Sequence, residues 1–344
     1  MYETYFHLSG KPFQLNPDPS FYFGSRGHKR AFAYLEYGLY QSEGFIVITG
    51  EVGAGKTTIV RSLLEQLDAA KVVAAQLVST QLEADDLLRA VAMAFGVPAV
   101  GADKATILAS LEAFLGKVTA EGRRALLIVD EAQNLSPRAV EELRMLSNFQ
   151  RGDQALLQSF LVGQPELRDL MQSPQMQQLR QRVIASYHLG PLDSSETQGY
   201  IEHRLRHVGW TDDPTFDPAC FPAIHEATGG IPRRINTLCN RLLLAAFLSE
   251  RHELVADDVH AIVDELKEEL DGEGPLSSVR AAPGAPRVDR LSTRSDAASM
   301  HMHFDHIEER IERLEKTVAA AVDLLHRLLH PEKATKPANP GSPH

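Results

Sequence analysis

The sequence predicts an α/β fold, a five-stranded parallel sheet layered by helices, with a small helical domain attached behind it. Three observations predict this. Short apolar, β-branched runs alternate with helical stretches from residue 45 to residue 189. A glycine-rich loop joins the first of those runs directly to a helix. After Pro191 the strand signals stop, and residues 194–268 read as helices.

In chain order, FIVIT (45–49) is the first buried strand, and the helix at 57–67 follows its loop. VVAAQL (72–77), ALLIV (125–129), LQSFLV (157–162) and VIASYHL (183–189) complete the set of strands. Helical stretches lie near 83–95, 104–119, 137–149 and 165–181. The later helices are expected at 194–208, 217–227, 232–249 and 256–270. Asp193 or Ser194 can cap the first of these, and Asp217 with Pro218 opens the second. The expected domains are 1–190 for the α/β part and 191–271 for the small helical part. Residues 272–300 are rich in Gly, Pro, Ser and Ala and read as a linker. Phe304, Ile307, Ile311, Leu314, Val318, Ala321, Leu325 and Leu328 recur at a 3–4 spacing, so 301–330 reads as a short coiled coil. A disordered tail is expected at 331–344.

With 43% hydrophobic and 24% charged residues, the chain is neither disordered nor collagen-like. Its net charge is −11, while residues 272–344 hold ten basic and ten acidic residues, so the acid excess lies in 1–271. A globally basic nucleic-acid binder is disfavoured. No apolar run approaches the roughly 20 residues of a membrane span, and MYETYFHLSG lacks the pattern of a secretory signal. Cys220 and Cys239 are too few for a disulfide framework and read as buried small residues in a reduced, cytoplasmic chain. Trp210 reads as packed at a domain edge. His301, His303 and His306 read as a solvated helix start rather than a metal site.

The loop Gly50-Glu51-Val52-Gly53-Ala54-Gly55-Lys56-Thr57 matches G-x-x-x-x-G-K-[ST] in full, between a strand and a helix. Glycines let the backbone curl so that its N–H groups point at phosphate oxygens, and the helix start adds positive potential. Lys56 can reach the β- and γ-phosphates of ATP, Thr57 offers a hydroxyl to Mg²⁺, and Thr58 extends the phosphate-binding stretch. Asp130-Glu131 ends the strand ALLIV, at the edge of a parallel sheet where ligands gather. Asp130 is expected in the Mg²⁺ shell and Glu131 as the group that orients and polarises water.

The strand-then-Asp-Glu arrangement and the trailing helices resemble the AAA+ ATPases. More closely, the chain resembles the ATPases related to general secretion pathway protein A. It does so through FHLSGKPFQLNPDPSFYFGSRGHKRAFAYLEYGL, GFIVITGEVGAGKTT, LLIVDEAQNL, FLVGQPEL, LRQRV and GGIPRRINTLCNRLLLAA, across residues 1–270. Within that group it looks most like the secretion ATPase encoded with exosortase/PEP-CTERM exopolysaccharide loci.

The resemblance implies a polar sensor at Gln164, an arginine finger at Arg180 or Arg182 for a neighbour's nucleotide, and a second-domain sensor at Arg233, with Arg234 the lesser candidate. It implies an adenine pocket lined from Pro17, Tyr22, Phe23 and His28, although core packing against the sheet explains these residues equally. It also implies self-assembly and protein partners in envelope secretion or exopolysaccharide export. General secretion pathway protein A adds a membrane span and a peptidoglycan-binding module, where this sequence reads as a linker and a short helix. Any membrane role would then run through partners. Two rivals remain at this level: a DNA-binding transposition regulator using the Arg26–Arg30 stretch, and an ATP-controlled scaffold with little turnover.

Overall fold

The computed structural model of the chain describes residues 1–41, 43–78 and 82–271. The expected linker, coiled coil and tail, with His301, His303 and His306, lie outside the described residues. The described elements run α1 (Tyr2–Tyr5), α2 (Arg26–Gln41), β1 (Phe45–Gly50), α3 (Lys56–Gln66), β2 (Val72–Val78), α4 (Ala84–Ala94), α5 (Lys104–Ala120), β3 (Arg124–Asp130) and α6 (Pro137–Leu146). Then come β4 (Gln150–Arg151), β5 (Gln154–Ala155), β6 (Leu157–Gly163), α7 (Pro165–Gln172), α8 (Gln177–Arg180), β7 (Val183–Leu189), α9 (Ser194–His207), β8 (Thr215–Phe216), α10 (Cys220–Thr228), α11 (Pro232–Leu248), β9 (Glu253–Leu254) and α12 (Ala256–Asp271).

The five predicted strands form one parallel sheet in the order β2-β3-β6-β1-β7. Every residue of β1 and β6 is buried, as runs apolar on both faces require. Strand alternation divides their side chains between two cores. Phe45 and Val47 share one with α4, α5 and α6, while Ile46 and Ile48 share the other with Leu35 of α2 and Ile59 and Leu63 of α3. Because β6 lies between β1 and β3, the ends of these three strands stand side by side, and Thr49 of β1 is level with Gly163 of β6. That places the loops after Gly50, Asp130 and Gly163 along one edge.

Several boundaries differ from the sequence reading. The helix expected over 165–181 is broken: α7 stops at Gln172, Ser173 is extended, and a 3₁₀ turn at Pro174–Met176 precedes α8. Pro174 has no N–H and disfavours a helical residue before it. The helix expected to reach 149 ends at Leu146, and the small β4–β5 hairpin follows. The helix expected from 217 begins at Cys220, because the Asp217 carboxylate accepts the Ala219 N–H at 2.7 Å and holds a turn there. Strands do recur beyond Pro191, since the two-residue β8 pairs in parallel with β9.

Helices α9–α12 share a third core, and the opening segment belongs to it. Tyr2, Phe6, Leu8, Phe13 and Phe21 are buried with Ile201, Leu205, Ile235 and Leu242. Residues 6–23 therefore form a strap bound to the lid helices, whereas the sequence left its aromatics open to a place against the sheet. Cys220 and Cys239 are buried in this core as free thiols. Trp210 packs at its margin, donating its indole N–H to Pro214 O at 3.0 Å. A capping box at Asp193 and Glu196 starts α9, and Arg26 at the start of α2 pairs with both carboxylates. Among the described residues no helix is long and apolar enough to cross a membrane.

Candidate functional site

The loop Gly50–Thr57 is held from two sides, and both contacts require glycine. Gly53 has φ +81°, and a Cβ there would sit 2.3 Å from Cβ of Arg233. Gly55 has φ +98°, and a Cβ there would sit 2.6 Å from Nε2 of His28. The Arg233 N–H donates to Gly53 O at 3.1 Å, so the start of α11 rests directly on the loop. Gly55 is the N-cap of α3, whose first N–H groups have no helical acceptor and open toward the loop.

Lys56 is buried, and its Nζ donates to Gly50 O (2.7 Å) and Glu51 O (2.9 Å). Burial pushes its pKa down, against the pull of Glu131, Asp130 and Glu51. Thr57 Oγ1 donates to Asp130 Oδ2 at 3.1 Å, and the Glu131 N–H donates to Asp130 Oδ1 at 3.0 Å. Burial raises the Asp130 pKa despite these two hydrogen bonds. A hydroxyl and a carboxylate so placed form a hard-oxygen donor set, which fits Mg²⁺.

Glu131 leaves β3 in the left-handed region, with φ 55°, and precedes a 3₁₀ turn at Ala132–Asn134. Its Oε2 accepts from Nε2 of Gln133 (2.6 Å) and Nε2 of Gln164 (3.1 Å), and Gln133 Oε1 in turn accepts the Gln164 N–H at 3.0 Å. Burial works against the Glu131 carboxylate, but these two amides and the Lys56 charge outweigh it and leave its pKa below the usual range. The fold thus gathers an ionised carboxylate, two fixed amides and a lysine at the ends of β1, β3 and β6.

A cavity of about 190 Å³ lies between this loop, the strap and the lid helices. Val52, Gly53, Gly55, Lys56, Thr57, Thr58, Glu131 and Arg233 line it, whereas Gly50, Glu51, Ala54, Asp130 and Gln164 do not. Pro17, Tyr22, Phe23 and His28 line it as well, His28 beside Gly55 of the loop. Tyr22 also packs on the α2–α3 side of the sheet and Phe23 on the lid core. His28 accepts or donates at Nδ1 with Ser25 Oγ (2.7 Å), and burial lowers its pKa.

Arg180 and Arg182 do not line the cavity. Arg180 donates to Met171 O and Ser173 O, and Arg182 donates to Ser147. Arg182 O accepts the N–H of Phe45, the residue that starts β1, so it marks the end of the sheet opposite the loop. Arg234 is exposed and does not line the cavity either.

The sequence reading missed Gln133, Tyr200, Arg204 and Asn236. Gln133 was within reach, two residues beyond Glu131 in LLIVDEAQNL. Asn236 lies one helical turn beyond Arg233, but nothing in its own surroundings in the sequence marked it.

The phosphate loop on this sheet defines the α/β P-loop AAA+ fold, and residues 39–171 match the AAA domain family. The particular relative is General secretion pathway protein A of Aeromonas hydrophila, 40% identical over 261 residues, which are 75% of this chain and 47% of that protein. The chain spans about half the length of that relative. Among solved structures, the Aeropyrum pernix ORC2 protein in its ADPNP–ADP complexes matches with a TM-score of 0.56 at 20% identity, covering 75% of this chain and 72% of that one. Cdc6p from Pyrobaculum aerophilum matches with a TM-score of 0.56 at 16% identity, covering 75% and 71%. At these identities the two structures speak for the fold alone.

Proposed function

We propose that the chain binds Mg-ATP in this cavity and hydrolyses it to ADP and phosphate, with a second copy completing the site. The observation that carries this is the Glu131 carboxylate, fixed by Gln133 and Gln164 beside the phosphate loop. Lys56 turns from the loop carbonyls to the phosphate oxygens. Thr57 and Asp130 would hold Mg²⁺, which would supply charge neutralisation to the phosphates when bound. Glu131 orients water for attack and draws off its proton, and Gln164 holds the carboxylate in line. Arg233 carries its charge in from the lid, so closure and the chemistry are linked. Arg180 or Arg182 acts on the nucleotide of a neighbouring copy, since the strand separating Arg182 from its own loop is roughly 20 Å long.

The cycle drives or regulates an envelope secretion machinery, and specifically the exopolysaccharide export that accompanies exosortase/PEP-CTERM loci. Similarity to General secretion pathway protein A supports the secretion class, and the wording of the motifs supports the finer assignment. The chain works in the cytoplasm and meets the inner membrane through its partners.

The test is ATP hydrolysis per subunit against protein concentration, with mass by light scattering in the same samples, for wild type and Glu131→Gln. Turnover that rises as the chain assembles, and is absent in Glu131→Gln, is expected. Full activity in a monomer at every concentration would remove the shared site, and normal turnover by Glu131→Gln would remove the role given to that carboxylate.

A further inference from the structure

Part of the cavity wall is built from a polar chain inside the lid. Arg204 is 6% exposed and, among the described residues, pairs with no carboxylate. Its Nε donates to Pro12 O (2.5 Å), Nη2 to Gln14 O (3.3 Å) and Nη1 to the Tyr200 hydroxyl (3.0 Å). The Tyr200 hydroxyl then lies 2.9 Å from Oδ1 of Asn236. Arg204, Tyr200 and Asn236 all line the cavity.

The direction of these bonds is forced. A guanidinium has no acceptor, so the Tyr200 oxygen must accept from Arg204. Its single hydrogen is left for Asn236, whose oxygen must face Tyr200. Gln14 O lies 3.5 Å from Nδ2, which agrees, since an amide oxygen there would oppose a carbonyl. The carboxamide of Asn236 is therefore locked with its NH₂ as the free edge. One N–H has only the long contact to Gln14 O, and the other has no protein acceptor. Asn236 is itself 6% exposed, and it lines the cavity. Asn236 thus brings a donor to a cavity that Tyr22 and Phe23 also line, with the Phe23 ring 5.8 Å from that of Tyr200. A heteroaromatic ring bearing nitrogen acceptors is the matching chemistry.

We propose that Asn236 reads the nucleobase, donating its Nδ2 hydrogen to a ring nitrogen of adenine, and that Arg204 and Tyr200 are positioning residues that fix the amide. This rests on the cavity holding a nucleotide. It assigns the base-reading group to the lid, three residues beyond Arg233 on the same helix.

The experiment is calorimetric titration of the full chain with ADP and with 1-deaza-, 3-deaza- and 7-deaza-ADP, each lacking one ring nitrogen. Wild type is expected to bind one of the three analogues about fivefold to tenfold more weakly than ADP. Asn236→Leu, which lacks the donor, should bind ADP and that analogue equally, and Asn236→Asp, which offers only acceptors, should bind that analogue no more weakly than ADP. Two variants are used so that a folding defect in one leaves the other to decide. Tyr200→Phe frees the amide to rotate and should narrow the gap without closing it. Wild type that treats all four ligands alike overturns the proposal, as does a gap that persists in both Asn236 variants. A wild-type chain that binds none of the four overturns the nucleotide reading itself, and this proposal with it. Lys56→Ala should weaken all four ligands by one common factor.

Discussion

At the scale of single residues, Glu131 carries the clearest expectation. Glu131→Gln should retain nucleotide while its turnover falls by about 10²–10⁴-fold, the usual worth of a positioned base, as read by steady-state hydrolysis beside a binding titration. Gly53 supplies a steric test. Gly53→Ala sets a Cβ against Arg233, whereas Gly122, at φ +74°, has nothing within 4 Å. Both alanines should cost about 1 kcal/mol of backbone strain, but only Gly53→Ala should also weaken ADP binding, as compared by calorimetry. His28 gives a pH dependence. Burial holds its folded pKa below the ordinary 6.5, so the folded state binds fewer protons than the unfolded one. Its contribution to stability is present above 6.5 and is lost as pH falls toward the folded value. The thermal midpoint should drop over that window, and His28→Gln should lessen the drop without removing it, because burial also lowers the pKa of His203. The phosphate loop and Asp130-Glu131 were legible in the sequence because each is a continuous motif of unusual residue types. Arg204, Tyr200 and Asn236 were not, because α9 and α11 must pack together before their side chains form one chain of hydrogen bonds.

At the scale of elements, the strands were legible because runs apolar on both faces leave a central parallel sheet as the simplest home. The ends of helices were harder. Ser136 caps α6, its Oγ accepting the Ala139 N–H at 3.2 Å, and Pro137 follows in the first turn. Ser136→Ala should cost about 1 kcal/mol, measurable by denaturant unfolding. Apolar spacing carried the reading through 165–181 because Leu167, Met171, Met176 and Leu179 all bury their side chains. The backbone nonetheless turns at Pro174, so a continuous stripe of buried residues hid a discontinuous helix. The place of the strap was hidden for a related reason: aromatic content suggests that Phe6, Phe13 and Phe21 are buried, but not in which core. Only the Arg204 bonds to Pro12 and Gln14, and the packing of α9 and α11, decide that.

At the scale of the whole molecule, the proposed nucleotide site sits where three parts meet: the strand ends, a lid and a strap. The alternation of strands and helices foretold the first two. Their junction at Gly53 and Arg233 was foreshadowed only by resemblance. Since Arg182 lies at the far end of the sheet, Arg182→Ala and Arg180→Ala should leave ADP affinity within about twofold of wild type, while one of them abolishes the concentration-dependent part of hydrolysis. The strap has a further consequence for how the chain is made. Its partners in the lid span residues 192 to 262, so during synthesis the first aromatic residues emerge long before anything exists to cover them. The sheet between them can close while the opening segment waits. The cavity that both line is closed only once α11 has left the ribosome, so a product truncated before Pro232 would lack Arg233 and Asn236 and should not bind ADP.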